Sequence, residues 1–200
     1  MSIFSRLRDS LSSSGRAPSG AMPEPDAPAP PPTDDAAVRA ACTAAGLSDE
    51  QIDIVLGLAL PSARLEADPA GVPSVIGASR LGGEPDLPED VAWPCGADGA
   101  PLGFIAQVRL ADVPETVRAA GPLPADGILS FFYDAAEQEA WGGDPEDAAA
   151  SRVIRVEGGV PLPRRPFPSD LEEHGRFPAI PLVVREERSY PHPEHPMLVA

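Results

Sequence analysis

Three acidic side chains lie close together in the segment "SRLGGEPDLPEDVAWP" (79–94), where Asp86, Glu89 and Asp90 could form a metal site or an acid/base pair. The prolines between them favour an extended chain, in which neighbouring carboxylates point apart. No helix or strand is expected to run through the segment. We therefore interpret it as a structural connector, with the acids in solvent and Trp93 buried at the edge of the core. An active-site loop is the alternative.

Gln107 and Arg109 form a second candidate site, in the segment "PLGFIAQVRL" (101–110). The alternating apolar side chains predict a strand with both residues on the face opposite the leucine and phenylalanine side chains. A glutamine inside a strand needs partners for both ends of its amide. Beside a cleft, the two side chains could instead hold an anionic group or a peptide. We favour a structural glutamine beside a solvated arginine, and ligand binding is the alternative.

Trp141 and Asp144 lie in a third segment, "EQEAWGGDPEDAAASR" (137–152). Two glycines follow Trp141, so this aromatic ring could be an exposed contact on a flexible loop. The acids around Pro145 lack the twelve-residue frame of a calcium-binding loop. An aspartate followed by proline is typical of a helix N-terminus, which we predict at Asp144 in preference to a metal site.

Histidines and cysteines form no recognisable catalytic or metal-binding motif in this sequence. Two of the three histidines lie in "YPHPEHP" (190–196), where the prolines rule out the helix that an HExxH zinc site requires. No GxGxxG follows a predicted strand, and the P-loop motif GxxxxGK[ST] is absent. We therefore predict no catalytic residue, no cofactor and no metal, and the sequence favours a protein that is not an enzyme.

Charge limits the kinds of partner that this protein can bind. The chain has a net charge of −16, and residues 21–150 carry 23 acids against five arginines. Such a body repels phosphate backbones, so we expect no nucleic-acid partner, whereas another protein is compatible with it. Cys42 and Cys95 are far apart and form no CxxC pair. Two isolated thiols favour the reducing cytoplasm over a disulfide-linked secreted protein.

The first 34 residues are predicted to lie outside the folded domain. Residues 1–11 have apolar side chains at helical spacing and could form a short amphipathic helix, although a disordered terminus is the favoured interpretation. Membrane contact is conceivable only through this segment. Residues 12–34 are rich in proline and alanine and poor in large apolar residues, which predicts a disordered linker.

The folded part is predicted to begin with a helical hairpin at residues 35–60, the only convincing helices in the sequence. Ser48 and Gln51 fit a capping box, and Ile52, Val55 and Leu56 share one helix face that should be buried against a sheet. Alternating or continuous apolar patterns then predict five strands, in segments 61–68, 101–110, 126–134, 151–159 and 181–190. The fold class is therefore α+β, with a mostly antiparallel sheet.

Four blocks in this order carry a family resemblance: "SRLGGEPDLPEDVAWP", "PLGFIAQVRLADVP", "LPADGILSFFYD" and "EQEAWGGDPEDAAASRVIRV". Over about residues 61–190 the chain resembles the YwqG-like family, also called domain of unknown function 1963. The resemblance implies a predominantly β, generally cytosolic bacterial protein for which the family has no established reaction. Family members usually continue into a second half that is similar in pattern to the first.

The resemblance therefore implies that residues 61–200 are a truncated β-rich domain, the incomplete copy of a longer two-half fold. Because the chain ends on the apolar run "PMLVA" (196–200), we expect an exposed apolar patch beside the last strand. Two functional hypotheses follow. The first is a non-catalytic protein-interaction module. The alternative is a ligand-binding domain or an unrecognised hydrolase with a cleft near Gln107, Arg109 and Trp141.

Overall fold

The computed structural model describes residues 34–72, 75–135, 138 and 144–191 of the 200-residue chain. The predicted N-terminal helix (1–11), nearly all of the predicted linker (12–34) and the apolar chain end lie outside the described residues. Within the described part of the chain, no helix is both long and apolar enough to cross a membrane.

Two helices form the predicted hairpin at the start of the described chain. Helix α1 spans Asp35–Ala44, and the side chain of Asp34 caps it by accepting a hydrogen bond from the backbone of Ala37. Helix α2 spans Asp49–Gly57 and begins with the predicted reciprocal capping box between Ser48 and Gln51.

Within this hairpin, Ile52 is completely buried and Val55 is almost completely buried, whereas Leu56 is half-buried. The arginine Arg188, in the last strand, donates a hydrogen bond to the Leu56 carbonyl at 3.4 Å and forms an ion pair with Asp35. These contacts connect the hairpin with the end of the sheet, and the predicted burial is confirmed most clearly for Ile52.

A six-stranded antiparallel sheet forms the rest of the fold and confirms the α+β class. Its strands are β1 (Leu60–Ala67), β2 (Arg80–Leu81), β3 (Gly103–Arg109), β4 (Ile128–Tyr133), β5 (Ser151–Val156) and β6 (Ile180–Ser189). The strand order is β1-β6-β2-β3-β4-β5, and every neighbouring pair is antiparallel. The last strand, β6, lies between β1 and β2, so among the described strands the edges of the sheet are β1 and β5.

A β-bulge interrupts the predicted alternation in β3. Phe104 lies opposite Phe132 of β4, but Ala106 lies opposite Phe131, so Ile105 is the extra residue on β3. Side chains beyond the bulge therefore point to the other face from the one that strict alternation predicts.

Because of the bulge, the apolar side chains of this segment do not form the single stripe that strict alternation predicts. Phe104 packs on one face of the sheet, whereas Val108 and Leu110 belong to a second apolar cluster on the opposite face. Gln107, opposite Ser130, shares the face of Phe104. The prediction that Gln107 faces away from all of these leucine and phenylalanine side chains is therefore wrong. The sequence did not reveal the bulge, because a bulge can be recognised only from the pairing with the neighbouring strand.

Each face of the sheet has its own apolar cluster. The first cluster consists of Leu87, Leu102, Phe104, Phe132 and Val156. The second consists of Val108, Leu110 and Val113, with Val117 of a third helix, α3 (Glu115–Ala120), packed against it. The sequence missed α3 because six residues are too few to show a helical period. Three short 3₁₀ helices, Leu110–Asp112, Pro145–Ala150 and Glu173–Gly175, complete the described elements.

Candidate functional site

Asp86 is completely buried, so the prediction that its side chain lies in solvent is wrong. Its Oδ2 atom accepts hydrogen bonds from Arg80 Nη1 at 2.7 Å and from the backbone N–H of Gly77 at 2.8 Å. Its Oδ1 atom accepts from Arg164 Nε at 2.6 Å. Two guanidinium groups, one of them 78 residues away in sequence, offset the cost of burying the carboxylate.

Gln107 completes this buried cluster and has no exposed surface. Its Nε2 atom donates to the Ala78 carbonyl and to Asp86 Oδ2, both at 2.8 Å. Its Oε1 atom accepts from the backbone N–H of Asp86 at 3.1 Å. The structure thus places Gln107 in the interior. Its amide joins β3 to Ala78, which precedes β2, and to Asp86, which follows β2 in the connector.

The hydrogen bonds to Asp86 keep its carboxylate ionised. Burial alone would raise the pKa of the Asp86 carboxyl, since it penalises the charged form. The donated hydrogen bonds of Arg80, Gly77, Arg164 and Gln107 outweigh this effect and hold the pKa below its usual value. A carboxylate that is held ionised inside its own ion pairs is suited to fixing the connector and not to exchanging protons with a substrate.

The glycines of the connector allow the chain to turn directly after β2. Gly82 and Gly83 have φ angles of +55° and +71°, in the left-handed region that favours glycine. A Cβ atom on Gly82 would lie 2.3 Å from the carbonyl oxygen of Pro178, which is too close for any other residue. The turn directs the following residues inwards, and so the local sequence explains why Asp86 reaches the interior.

Arg109 is held by Asp112 on the surface near this cluster. Its Nε and Nη2 atoms donate to Asp112 Oδ1 at 2.9 and 2.5 Å, and this hydrogen bond raises the pKa of Arg109. Asp112 also accepts from the Ser79 hydroxyl at 2.8 Å. Arg109 lines a cleft of about 210 Å³ together with Asp126 and Glu157. Gln107 does not line this cleft, so the structure does not bring the two predicted side chains together around one ligand.

Trp93 lies at the edge of the first apolar cluster, half-buried. Its ring packs edge-on against Phe132 with the centroids 5.5 Å apart, and its Nε1 atom donates to the Leu102 carbonyl at 2.9 Å. The polar atom of the ring is therefore satisfied inside the fold, as expected for an aromatic side chain with a structural role.

The remaining predicted residues lie apart from this cluster. Glu89 and Asp90 are exposed, as predicted. Asp144 is exposed and directly precedes the 3₁₀ helix that begins at Pro145, which agrees with the predicted helix start. Trp141 lies outside the described residues.

Acidic side chains line a cavity of about 150 Å³ near the beginning of β3. Asp98, Asp134, Asp170 and Glu172 contribute to its lining, and the Nε2 atom of His174 lies 3.2 Å from Oε2 of Glu172. The cavity is smaller than the 300–1,000 Å³ or so that is usual for ligand pockets. Among the described residues, no group of three or more histidine, cysteine, aspartate or glutamate side chains is arranged to hold a metal ion.

The outer edge of β5 is one of the two open edges of the described sheet. Asp134 N–H donates to the Ala150 carbonyl at 2.8 Å, and these two residues extend the register of β4 and β5. Because hydrogen-bonded pairs alternate along an antiparallel ladder, the N–H and C=O groups of Ser151, Val153 and Arg155 point away from β4. No described strand pairs with them.

The opposite edge of the sheet, β1, is less suited to pairing. Asp68 N–H donates to the Pro181 carbonyl at 2.8 Å, in the register of β1 and β6, so alternate residues from Pro61 to Ala67 face outwards. Pro61 has no N–H group, and proline is a common means of protecting an edge strand. The six residues of β5 contain no proline.

The sequence predicted β5 as a strand but did not show that it lies at an edge. Strand order follows from pairing between distant segments, and the only local signal was weak. Val153 is apolar and yet 55% exposed, and Arg152 and Arg155 are exposed on either side of it. A short strand with large polar and apolar side chains in solvent is compatible with an edge as well as with a surface hairpin.

Comparison with known proteins gives a family for this chain. The sequence profile of the family described as "Domain of unknown function (DUF1963)" matches residues 79–181, just over half of the chain. The chain belongs to this family, which is consistent with the YwqG-like resemblance of its sequence. The matched region runs from the connector to the start of β6 and includes Asp86, Gln107, Arg164 and the whole of β5. No curated protein is significantly similar to the chain.

Proposed function

We propose that this protein is a non-catalytic protein-interaction module that binds an extended segment of another protein along the outer edge of β5. The observation that carries the proposal is the row of outward backbone groups at Ser151, Val153 and Arg155. An added strand would bond to three N–H and three C=O groups, which is the usual way in which a sheet edge recognises a peptide.

The contacts of the candidate site residues favour a structural role for these side chains over a catalytic one. Asp86 and Gln107 are completely buried, and their hydrogen bonds connect parts of the fold with one another. Arg109 is held by Asp112. These groups hold β2, β3 and the connector together within the sheet that carries β5. A preformed edge lowers the entropic cost of binding a partner strand.

The partner is a protein in this proposal, and the compartment is the cytoplasm. The net charge of −16 opposes binding to nucleic acids. Cys42 and Cys95 are both free thiols, which fits a reducing environment.

A pair of proline variants tests the proposal. Val153→Pro removes an outward N–H group of β5, and Leu65→Pro makes the same change at an outward position of β1. Neither N–H group takes part in the sheet, so both variants should fold, which circular dichroism checks. A photo-crosslinking amino acid at position 153, compared with one at position 65, first identifies the partner in native host cells.

The purified partner is then titrated against the three proteins. Val153→Pro should weaken binding about tenfold or more, because an unpaired carbonyl of the partner costs roughly 1–3 kcal/mol. Leu65→Pro should bind like the wild type. Equal affinities for the wild type and a folded Val153→Pro variant, or an equal loss in both variants, would refute binding at β5.

A further inference from the structure

Strands β4 and β5 carry positive charge and no acid of their own, in an acidic molecule. Strand β4 has the sequence "ILSFFY" and no charged residue, and β5 has the sequence "SRVIRV" with two arginines and no acid. The whole chain has a net charge of −16. Glu157 directly follows β5, and its Oε1 atom lies 3.8 Å from Arg155 Nη1, with both side chains exposed. An exposed ion pair of this kind is weak, so a carboxylate of a bound strand can replace it. Because charges in physiological salt are screened beyond about 8 Å, Arg152 and Arg155 act on a bound strand more strongly than the distant acids of the chain do.

The two arginines lie on opposite faces of the sheet. Arg152 is paired in register with Phe132, whose side chain belongs to the first apolar cluster. Arg155 is paired with Leu129, which packs against the second cluster on the other face. Val153, opposite Phe131, shares the face of Arg155. Directly opposed residues of paired strands lie on the same face, so a bound strand meets each of these side chains with a different residue.

The direction of the bound strand follows from the sheet, in which every pairing is antiparallel. A strand added antiparallel to β5 meets Arg155 first and then, in N-to-C order, Ile154, Val153 and Arg152. Carboxylates suit the positions opposite the two arginines, and an apolar residue suits the position opposite Val153, which is 55% exposed.

On the basis of the proposed function, we infer that the segment bound at β5 is an acidic strand with the pattern acid, any residue, apolar residue, acid. The spacing of three follows from Arg152 and Arg155. The apolar position, one residue before the second acid, follows from Val153.

Charge disfavours a second copy of this chain as the occupant. A symmetric pair of β5 strands would bring together four arginines and no carboxylate from the strands themselves. Like charges on neighbouring strands destabilise their pairing.

Four short peptides test the inference with the full-length, ¹⁵N-labelled protein. TETVET carries the inferred pattern, and TEVETT has the same composition with the acids only two residues apart. TQTVQT is the neutral counterpart, and TKTVKT is the basic one. Amide chemical shifts report binding, and those of Ser151, Val153 and Arg155 locate it at the β5 edge.

TETVET should shift these three amides and bind about tenfold more tightly than TKTVKT, with TQTVQT and TEVETT in between. The charge-reversed double variant Arg152→Glu with Arg155→Glu should prefer TKTVKT to TETVET. If this variant does not fold, the single variant Arg155→Gln should lose part of the preference for TETVET over TQTVQT.

The outcomes separate the inference from the proposed function. Equal shifts of the β5 amides with all four peptides would overturn the acidic pattern and leave strand addition standing. No shift of these amides with any peptide would contradict strand addition itself, and the inference with it. A concentration-dependent increase in mass, accompanied by shifts of the β5 amides without peptide, would identify a second copy as the occupant and overturn the inference.

Discussion

Replacing Asp86 with asparagine removes the carboxylate that Arg80 and Arg164 share. Asparagine has one side-chain oxygen, which at the position of Oδ2 could still accept from Arg80, Gly77 and Gln107. Its amide nitrogen would then face Arg164 Nε across the present 2.6 Å contact, donor against donor. The Arg80 side chain, only 1% exposed, would keep its charge without the opposing charge.

Asp86→Asn should lower the free energy of unfolding by about 3–5 kcal/mol, the usual effect of removing one charge from a buried ion pair. Since domains of this size are stable by roughly 5–15 kcal/mol, the variant should unfold at a clearly lower denaturant concentration. Urea denaturation followed by circular dichroism measures the change.

Asp53→Asn is the matched control for this experiment. Asp53 forms an ion pair with Arg39 at 2.6 Å, as short as those of Asp86, but its side chain is 68% exposed. Its substitution should leave the denaturation midpoint nearly unchanged, because exposed ion pairs contribute little. If both variants unfold at the same midpoint with equal m-values, the buried cluster does not have the stabilising role that its geometry implies.

Three further predictions concern stability. The Asp86 pKa is lowered from an unfolded value of about 3.9, so its contribution to stability is complete above that pH and is lost as the pH falls through the folded pKa. Wild type should therefore lose more stability than Asp86→Asn in urea titrations below about pH 4, and parallel pH profiles would contradict this. Ile52→Ala should lower the free energy of unfolding by about 2–5 kcal/mol, and Leu56→Ala should lower it less, because Leu56 is only half-buried. If denaturant unfolding shows a larger loss for Leu56→Ala than for Ile52→Ala, the observed packing of the hairpin is excluded. Ser130→Ala should be neutral or stabilising in thermal denaturation, because its buried hydroxyl has no hydrogen-bond partner among the described residues; a large loss would indicate a missing partner.

Local patterns predicted the elements of this fold better than their arrangement. The capping box at Ser48 and the alternation or apolar runs of five strands involve neighbours in sequence, and the structure contains all of them. Strand β2 escaped prediction because two residues have no period. The bulge at Ile105 escaped as well, since it exists only in relation to β4.

The error at Asp86 has a similar physical cause. In the sequence, Asp86 can be compared only with its neighbours in the chain, from which the prolines separate it. Its partners are Arg80 on a two-residue strand and Arg164 far along the chain, and no periodic pattern connects them. Gln107 was singled out correctly as a polar group that needs partners, but its partner Asp86 could not be foreseen.

The two edges of the sheet differ in how they avoid uncontrolled pairing. An open edge strand is a risk for aggregation, and proteins commonly protect it with proline or with charged side chains. Strand β1 contains Pro61, which cannot pair through its nitrogen with any strand. Strand β5 has only Arg152 and Arg155, and charges exclude some strands while attracting others. In the inferred complex, the same two arginines that oppose pairing between identical β5 strands would favour a strand with carboxylates opposite them, so the protection of this edge would also make it selective.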